Sequence, residues 1–190
     1  NFWTEKRYKN HKNRLDKLTL KLLAGMKICQ IKYLVVPVVD ESSLESAEAN
    51  DNLCRYFIDL VPMLESCGVT VLFEADFAPK KFRTFIEQFP QKSFGINYDI
   101  GNSAALGFDP NKEFEEYGDL IRNVHVKDRP FEGQSCVLGT GDADFNKVVQ
   151  NLRKYDYSGN FVMQTARSKT YKHLSIMRDQ LEFWQNQWKH

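Results

Sequence analysis

Four side chains able to hold a metal or move a proton occupy matching places in four short apolar runs. Glu74 closes V-T-V-L-F-E, Asp99 closes G-I-N-Y-D, His125 sits in N-V-H-V, and Gln164 closes N-F-V-M-Q. Carboxylates and an imidazole at strand tips add little to a core. They suit a divalent ion held over a small polyhydroxylated molecule. Two carboxylates, one imidazole and one amide oxygen select Mn, Mg, Co or Zn rather than copper or an iron–sulfur cluster. Taken singly, each has a plainer reading. Glu74 can be a solvated charge or a helix cap, Asp99 in D-I-G-N can close an Asx-turn, and His125 can be a core histidine bonded to a carboxylate. The convergence of four such residues is what points to a site.

A second group lies in G-T-G-D-A-D-F, from Gly139 to Phe145. Glycines ahead of a helix leave backbone N–H groups to cradle a phosphate, so Gly139 and Gly141 are candidate anion ligands. A tight turn with Asp142 or Asp144 capping the helix explains the same residues, and the two readings can coexist. Lys127, Arg129 and Arg167 are near enough in sequence to neutralise a phosphate or orient a hydroxyl, or are plain surface charges. Asn102, in D-I-G-N, joins them as a candidate substrate contact.

The elements that must position these residues alternate in type. Leu15, Leu18, Leu22 and Met26 recur at helical spacing and predict an amphipathic helix over 10–27. Tyr33–Val39 is a continuous apolar run, as in a strand covered on both faces, with Pro37 ending it or marking a bulge. A polar loop is expected over 40–50. Leu53, Phe57, Leu60 and Leu64 predict one helix stopped by Gly68. The remaining strands are expected at 69–74, 95–99, 123–126 and 160–164. Helices are expected from Pro79, over 113–120, over 145–155, and over about 171–188 with Leu174, Met177, Leu181 and Trp184 inward.

Five strand–helix alternations, at roughly 25 to 40 residues each, predict a parallel α/β sheet. Functional side chains at the C-terminal ends of successive strands favour a barrel. An open doubly wound sheet would concentrate its site at one switch point, and no G-x-G-x-x-G is present. The expected fold is therefore a (β/α)8 TIM barrel lacking about three N-terminal βα units in this sequence, with residues 1–190 as a single domain. The opening on Asn1 rather than Met agrees with that expectation.

Bulk properties narrow the partners. Lys and Arg total 26 against 25 Asp and Glu, a net charge of +1, which speaks against nucleic acid. No apolar run approaches the ~20 residues of a membrane span. The four cysteines are scattered without C-x-x-C spacing, and are read as reduced thiols of a cytoplasmic protein. The late aromatics Phe183, Trp184 and Trp188 are expected in the core, a homodimer contact being the second reading.

D-I-G-N, then V-H-V-K-D, then G-x-G-x-x-D-F, then a strand after Y-S-G-N-F together resemble the sugar-phosphate isomerase/epimerase family of xylose-isomerase-like TIM barrels. Within it the sequence is most similar to the L-ribulose-5-phosphate 3-epimerases. The resemblance covers nearly the whole chain from the first helix. It implies a divalent metal held by a Glu, an Asp, a His and a second Glu, which fall on Glu74, Asp99, His125 and Gln164. It also implies that the first and last of these are the acid/base pair that moves a proton beside a ketose carbonyl through an enediolate. The sequence departs from the family at Gln164, since an amide can ligate a metal but cannot abstract a proton. The expected function is thus a metal-dependent sugar-phosphate epimerase or isomerase. The alternatives are a metal-dependent sugar dehydratase, or a degenerate barrel that binds a sugar phosphate without turnover. A three-zinc endonuclease of the same superfamily is disfavoured, because such sites need many histidines and the chain has four.

Overall fold

The computed structural model describes residues 3–44, 46–167 and 172–189. The fold is α/β, with five strands in one parallel sheet of order β1-β2-β3-β4-β5. The chain divides into two compact units, one of residues 1–76 with 84–95 and one of residues 77–83 with 96–190.

The first unit contains α1 (Glu5–Ile28), β1 (Tyr33–Val38), α2 (Ala47–Asp59), α3 (Val61–Cys67) and β2 (Thr70–Ala75). The two strands pair in parallel from Tyr33↔Thr70 to Val38↔Ala75. β1 runs straight through Pro37 rather than ending there. It is the first strand in the sheet order, and an outer strand accepts a residue that lacks an N–H. The expected loop over 40–50 is shorter than predicted. It holds a 3-10 turn at Asp40–Ser42, and α2 begins at Ala47, capped by Ser46 Oγ accepting from the Ala49 N–H at 3.1 Å. The predicted helix over Leu53–Leu64 is two helices, because Pro62 starts α3 in its own first turn. Gly68 closes α3 at φ 66°, in the left-handed region where only glycine is unstrained.

The helix over 10–27 forms, but its buried stripe is displaced. Thr19, Leu23 and Met26 are buried, whereas Leu18 and Leu22 are about half exposed. The cause is a buried hydroxyl pair, Thr19 Oγ1 and Tyr56 Oη at 2.7 Å, which puts a polar residue on the inward face. The core of this unit is aromatic. Phe73 stacks on Phe94 and meets Phe57 edge-on at 5.3 Å between ring centres, a favourable quadrupole arrangement.

The second unit contains α5 (Ile100–Ala105), α6 (Pro110–Tyr117), β4 (Ile121–Val126), α7 (Phe145–Lys154), β5 (Asn160–Met163) and α8 (His173–Lys189); β3 (Phe94–Asp99) leads into it from α4 (Pro79–Ile86). Strands β3, β4 and β5 run in parallel, with Asp99 opposite His125 and His125 opposite Val162. Tyr171, where the last helix was expected to start, lies outside the described residues. That helix also buries less of its apolar face than its pattern predicts. Leu174, Met177 and Leu181 are exposed at 80%, 40% and 43%, and Trp184 is the buried member of the four. Trp184 lies between Phe145 and Phe161, and Trp188 meets Phe161 at 5.0 Å, so these rings pack within their own unit. No helix among the described residues is long and apolar enough to cross a membrane.

Behind β3 sits a buried carboxyl. Glu113 accepts hydrogen bonds from Tyr98 Oη at 2.8 Å, Tyr117 Oη at 2.7 Å and Ser103 Oγ. Burial holds its titration above the ordinary value of 4.5, and the three donors oppose that only in part. A carboxyl raised in the folded state stabilises the fold fully below its unfolded value and loses that contribution as pH rises through the folded value. Urea unfolding of the wild type should therefore weaken from about pH 4.5 upward relative to Glu113→Gln, whose stability should be flatter with pH. Parallel pH profiles for the two proteins would show that Glu113 keeps its unfolded titration.

Candidate active site

The site begins with strand register. In a parallel pair, residues two apart share a face, so Asn97 and Asp99 on β3 line up with Asn123 and His125 on β4. The lower pair is tied by Asn123 Nδ2 donating to Asn97 Oδ1 at 2.6 Å, with both residues buried. The upper pair brings His125 Nδ1 to 3.6 Å from Asp99 Oδ2, longer than a hydrogen bond. The repeated N-x-D and N-x-H at the two strand ends is a signal that sequence reasoning passed over.

Both oxygens of Asp99 have neighbours. Its Oδ1 accepts the Asn102 N–H at 2.8 Å and caps α5. Its Oδ2 faces His125 and lies 3.5 Å from Lys127 Nζ. Asn102 then gathers the cations, since its Oδ1 accepts from Lys127 Nζ at 3.0 Å and from Arg129 Nη1 at 2.7 Å. Arg129 is fixed at a second point by Nε donating to the Gly133 carbonyl at 2.8 Å. Gly101 allows this approach, because a Cβ there would lie 2.6 Å from Lys127 Cγ. Asp99, Asn102, His125, Lys127 and Arg129 thus form one connected polar group.

The other predicted residues are placed as follows. Glu74 is buried at 8% exposure, one residue from the C-terminal end of β2 in the first unit. Gln164 follows β5 and is exposed, and its N–H donates to the Val126 carbonyl at 3.0 Å, extending the ladder one step past the strand. Arg167 lies three residues further and is exposed. By donor chemistry, Glu74 in the first unit and Asp99 and His125 in the second are each of a type that ligates divalent ions.

The expectation that Gly139 and Gly141 cradle a phosphate is corrected by the structure. Both N–H groups already donate to one oxygen of Asp128, at 2.8 and 2.9 Å, and the Ala143 N–H donates to the other at 3.2 Å. Asp128 is completely buried. The capping reading of this loop holds, with Asp144 Oδ1 accepting the Lys147 N–H at 3.0 Å at the start of α7. Sequence reasoning missed Asp128 because its carboxylate reaches its partners across a ten-residue gap. A separate cavity of about 480 Å³ opens among Tyr98, Ser103, Phe131, Asp142 and Lys147, and none of the predicted site residues lines it.

Solved structures share this architecture. A xylose isomerase domain protein from Planctomyces limnophilus superposes with a TM-score of 0.74 at 17% identity, over 87% of this chain and 63% of that one. An L-ribulose 3-epimerase gives 0.75 at 12% identity, over 91% and 66%. The IOLI protein, solved with a bound zinc atom, gives 0.75 at 16% identity, over 98% and 71%. In sequence, 96 residues are 30% identical to a protein of Escherichia coli (strain K12) provisionally named L-ribulose-5-phosphate 3-epimerase. That match spans 47% of this chain and only 34% of the relative. The family model for the xylose isomerase-like TIM barrel matches residues 9–187, so the chain belongs to the xylose isomerase-like TIM barrel family.

Proposed function

We propose that this chain contributes the active site of a metal-dependent sugar isomerase that acts on a ketose or ketose phosphate by proton transfer beside the carbonyl. The observation that carries the reading is the paired strand ends: Asp99 beside His125, with Lys127 and Arg129 meeting at Asn102 next to them. A carboxylate, an imidazole and two cations at the C-terminal ends of parallel strands form a place where a polyhydroxylated anion can be both held and polarised. Family membership and epimerases among the structural relatives support the isomerase class.

In this proposal Glu74, Asp99 and His125 hold a divalent ion, Mn, Mg, Co or Zn by donor type, with the Gln164 amide oxygen as a fourth donor. Such an ion supplies a Lewis acid for the negative charge that grows on the substrate oxygens. The zinc in the IOLI protein agrees with that donor set. Glu74 takes the proton beside the carbonyl. Lys127 and Arg129 orient the substrate and offset the enediolate charge, Asn102 fixes where those two cations point, and Arg167 is a further substrate contact. With the Gly139 and Gly141 amides already used by Asp128, any phosphate would be met by side chains and not by that loop. Four free cysteines fit the proposed cytoplasmic setting.

Gln164 favours a second reading of the chemistry. Epimerisation needs a proton removed on one face and delivered on the other, and an amide does neither at neutral pH. An aldose–ketose isomerisation or a dehydration needs one base, and Glu74 alone can serve it.

The test is deuterium uptake from D₂O, followed by proton NMR, with the full-length protein, Mn²⁺ and a panel of ketopentoses, ketohexoses and their phosphates. Metal-dependent exchange at C3 is the expected epimerase result, and exchange at C1 or C2 identifies an isomerase. No exchange with any member, while Mn²⁺ still binds, would overturn the isomerase reading in favour of a sugar binder or a dehydratase.

Two variants separate the roles. Asp99→Ala combined with His125→Ala should abolish stoichiometric Mn²⁺ binding in equilibrium dialysis, and retained binding would place the ion elsewhere. Gln164→Glu should raise C3 exchange on the order of 10²-fold, the low end of what a general base contributes. An unchanged rate would mean that the reaction is of the one-base kind.

A further inference from the structure

In V-H-V-K-D-R, Asp128 faces away from the cations on either side of it. Strand-like alternation turns Lys127 and Arg129 toward Asn102 and Asp128 to the opposite side, where its carboxylate is fully buried. There it accepts the Gly139, Gly141 and Ala143 N–H groups, and its own carbonyl accepts the Cys136 N–H at 3.0 Å. The next carbonyl, that of Arg129, accepts the Asp142 N–H at 3.1 Å. Backbone N–H groups from alternate residues, 139, 141 and 143, converge on the two oxygens of Asp128 and make a concavity suited to an anion. Gly141 has no space for a side chain, since a Cβ would lie 2.3 Å from Asp128 Oδ1 and 2.7 Å from the Arg129 backbone.

We propose that Asp128 is a built-in anion, a carboxylate that fills the anion nest of the 139–143 loop and thereby fixes the backbone from which Lys127 and Arg129 reach Asn102. It is a positioning residue. It touches no reacting atom in the proposed reaction, and its importance for substrate rests on the reading of Lys127 and Arg129 given above. Three amide donors with no acceptor would be costly to bury, so removing the carboxylate either opens the loop or admits an anion from solution. The ligand class of the vacated nest is a small carboxylate or phosphate, because its donors are all N–H groups with no hydrogen-bond acceptor among them. The loop that resembles a phosphate cradle is then an anion nest occupied from within.

The experiment uses full-length Asp128→Ala with sodium formate as the probe and sodium chloride at equal ionic strength as the control. Formate should raise the melting temperature of Asp128→Ala well beyond its effect on wild type, and chloride should not. Two-dimensional ¹H–¹⁵N spectra should show the Arg129 Nε–H, bonded to the Gly133 carbonyl in wild type, exchanging with water at least about tenfold faster in the variant and slowing again with formate. Loss of stability alone would not move that signal. Asp128→Asn, nearly the same shape, serves if the alanine variant does not fold. It turns an amide N–H toward the loop's own donors and should speed Arg129 exchange without formate rescue. Gly141→Ala should act in the same direction by displacing Asp128. An unrescued melting temperature, or an Arg129 signal indifferent to all three substitutions, would overturn the proposal. Where ketose exchange is measurable, Asp128→Ala should raise KM more than it lowers kcat. If wild type shows no exchange, the functional reading fails, but the formate and Arg129 measurements still decide the role of Asp128.

Discussion

The structure of the site depends on one alignment, the parallel pairing of β3 and β4 that sets Asp99 opposite His125. Because a strand turns its side chains to alternate faces, that register also sets Asn97 opposite Asn123 and sends Tyr98 and Val124 to the other face. A slip of one residue would put Tyr98 where Asp99 stands and bury the acid among helices. The Asn97–Asn123 hydrogen bond, in a dry position below the pair, works against such a slip, since each amide would lose its partner. The ladder bond from the Gln164 N–H to the Val126 carbonyl carries the same register into β5.

Among the described residues of the same unit, the protein keeps two further buried carboxyls, and it satisfies them differently. Glu113 is surrounded by three hydroxyls from Tyr98, Ser103 and Tyr117, groups that can donate or accept and so tolerate either protonation state. Asp128 is surrounded by backbone N–H groups, which only donate. The first joins β3 to α5 and α6 on the outer face. The second joins the end of β4 to the loop that leads into α7. The ionisable groups at the strand ends are thus held between two polar anchors that belong to the scaffold.

What could be read from the sequence follows from how local the physics is. The strand ends carrying Asp99 and His125 were legible because apolar runs with a terminal polar residue are local patterns, and the βα alternation fixed the fold class for the same reason. The register of α1 was not legible. Its inward face contains Thr19, whose burial depends on Tyr56 thirty-seven residues away. The α8 pattern predicted burial of Leu174, Met177 and Leu181, yet amphipathicity states only that a face could be covered. The G-T-G-D loop left two readings open for a related reason. Glycine spacing reveals that N–H groups converge, but what they converge on was an aspartate in another motif.

The proposed donor set also bears on what kind of catalyst this could be. With Glu74 and Asp99 as the carboxylates and Gln164 neutral, a divalent ion would be charge-balanced by its ligands alone. Lys127 and Arg129 then stand as an excess of positive charge, drawn together at the neutral oxygen of Asn102. A second glutamate in place of Gln164 would offset part of that excess and supply a second base. Its replacement by an amide shifts the balance from proton transfer toward holding negative charge. In that proposal the site would favour an anionic substrate or an enediolate once formed, and would leave the difficult step, removal of the proton, to a single carboxylate.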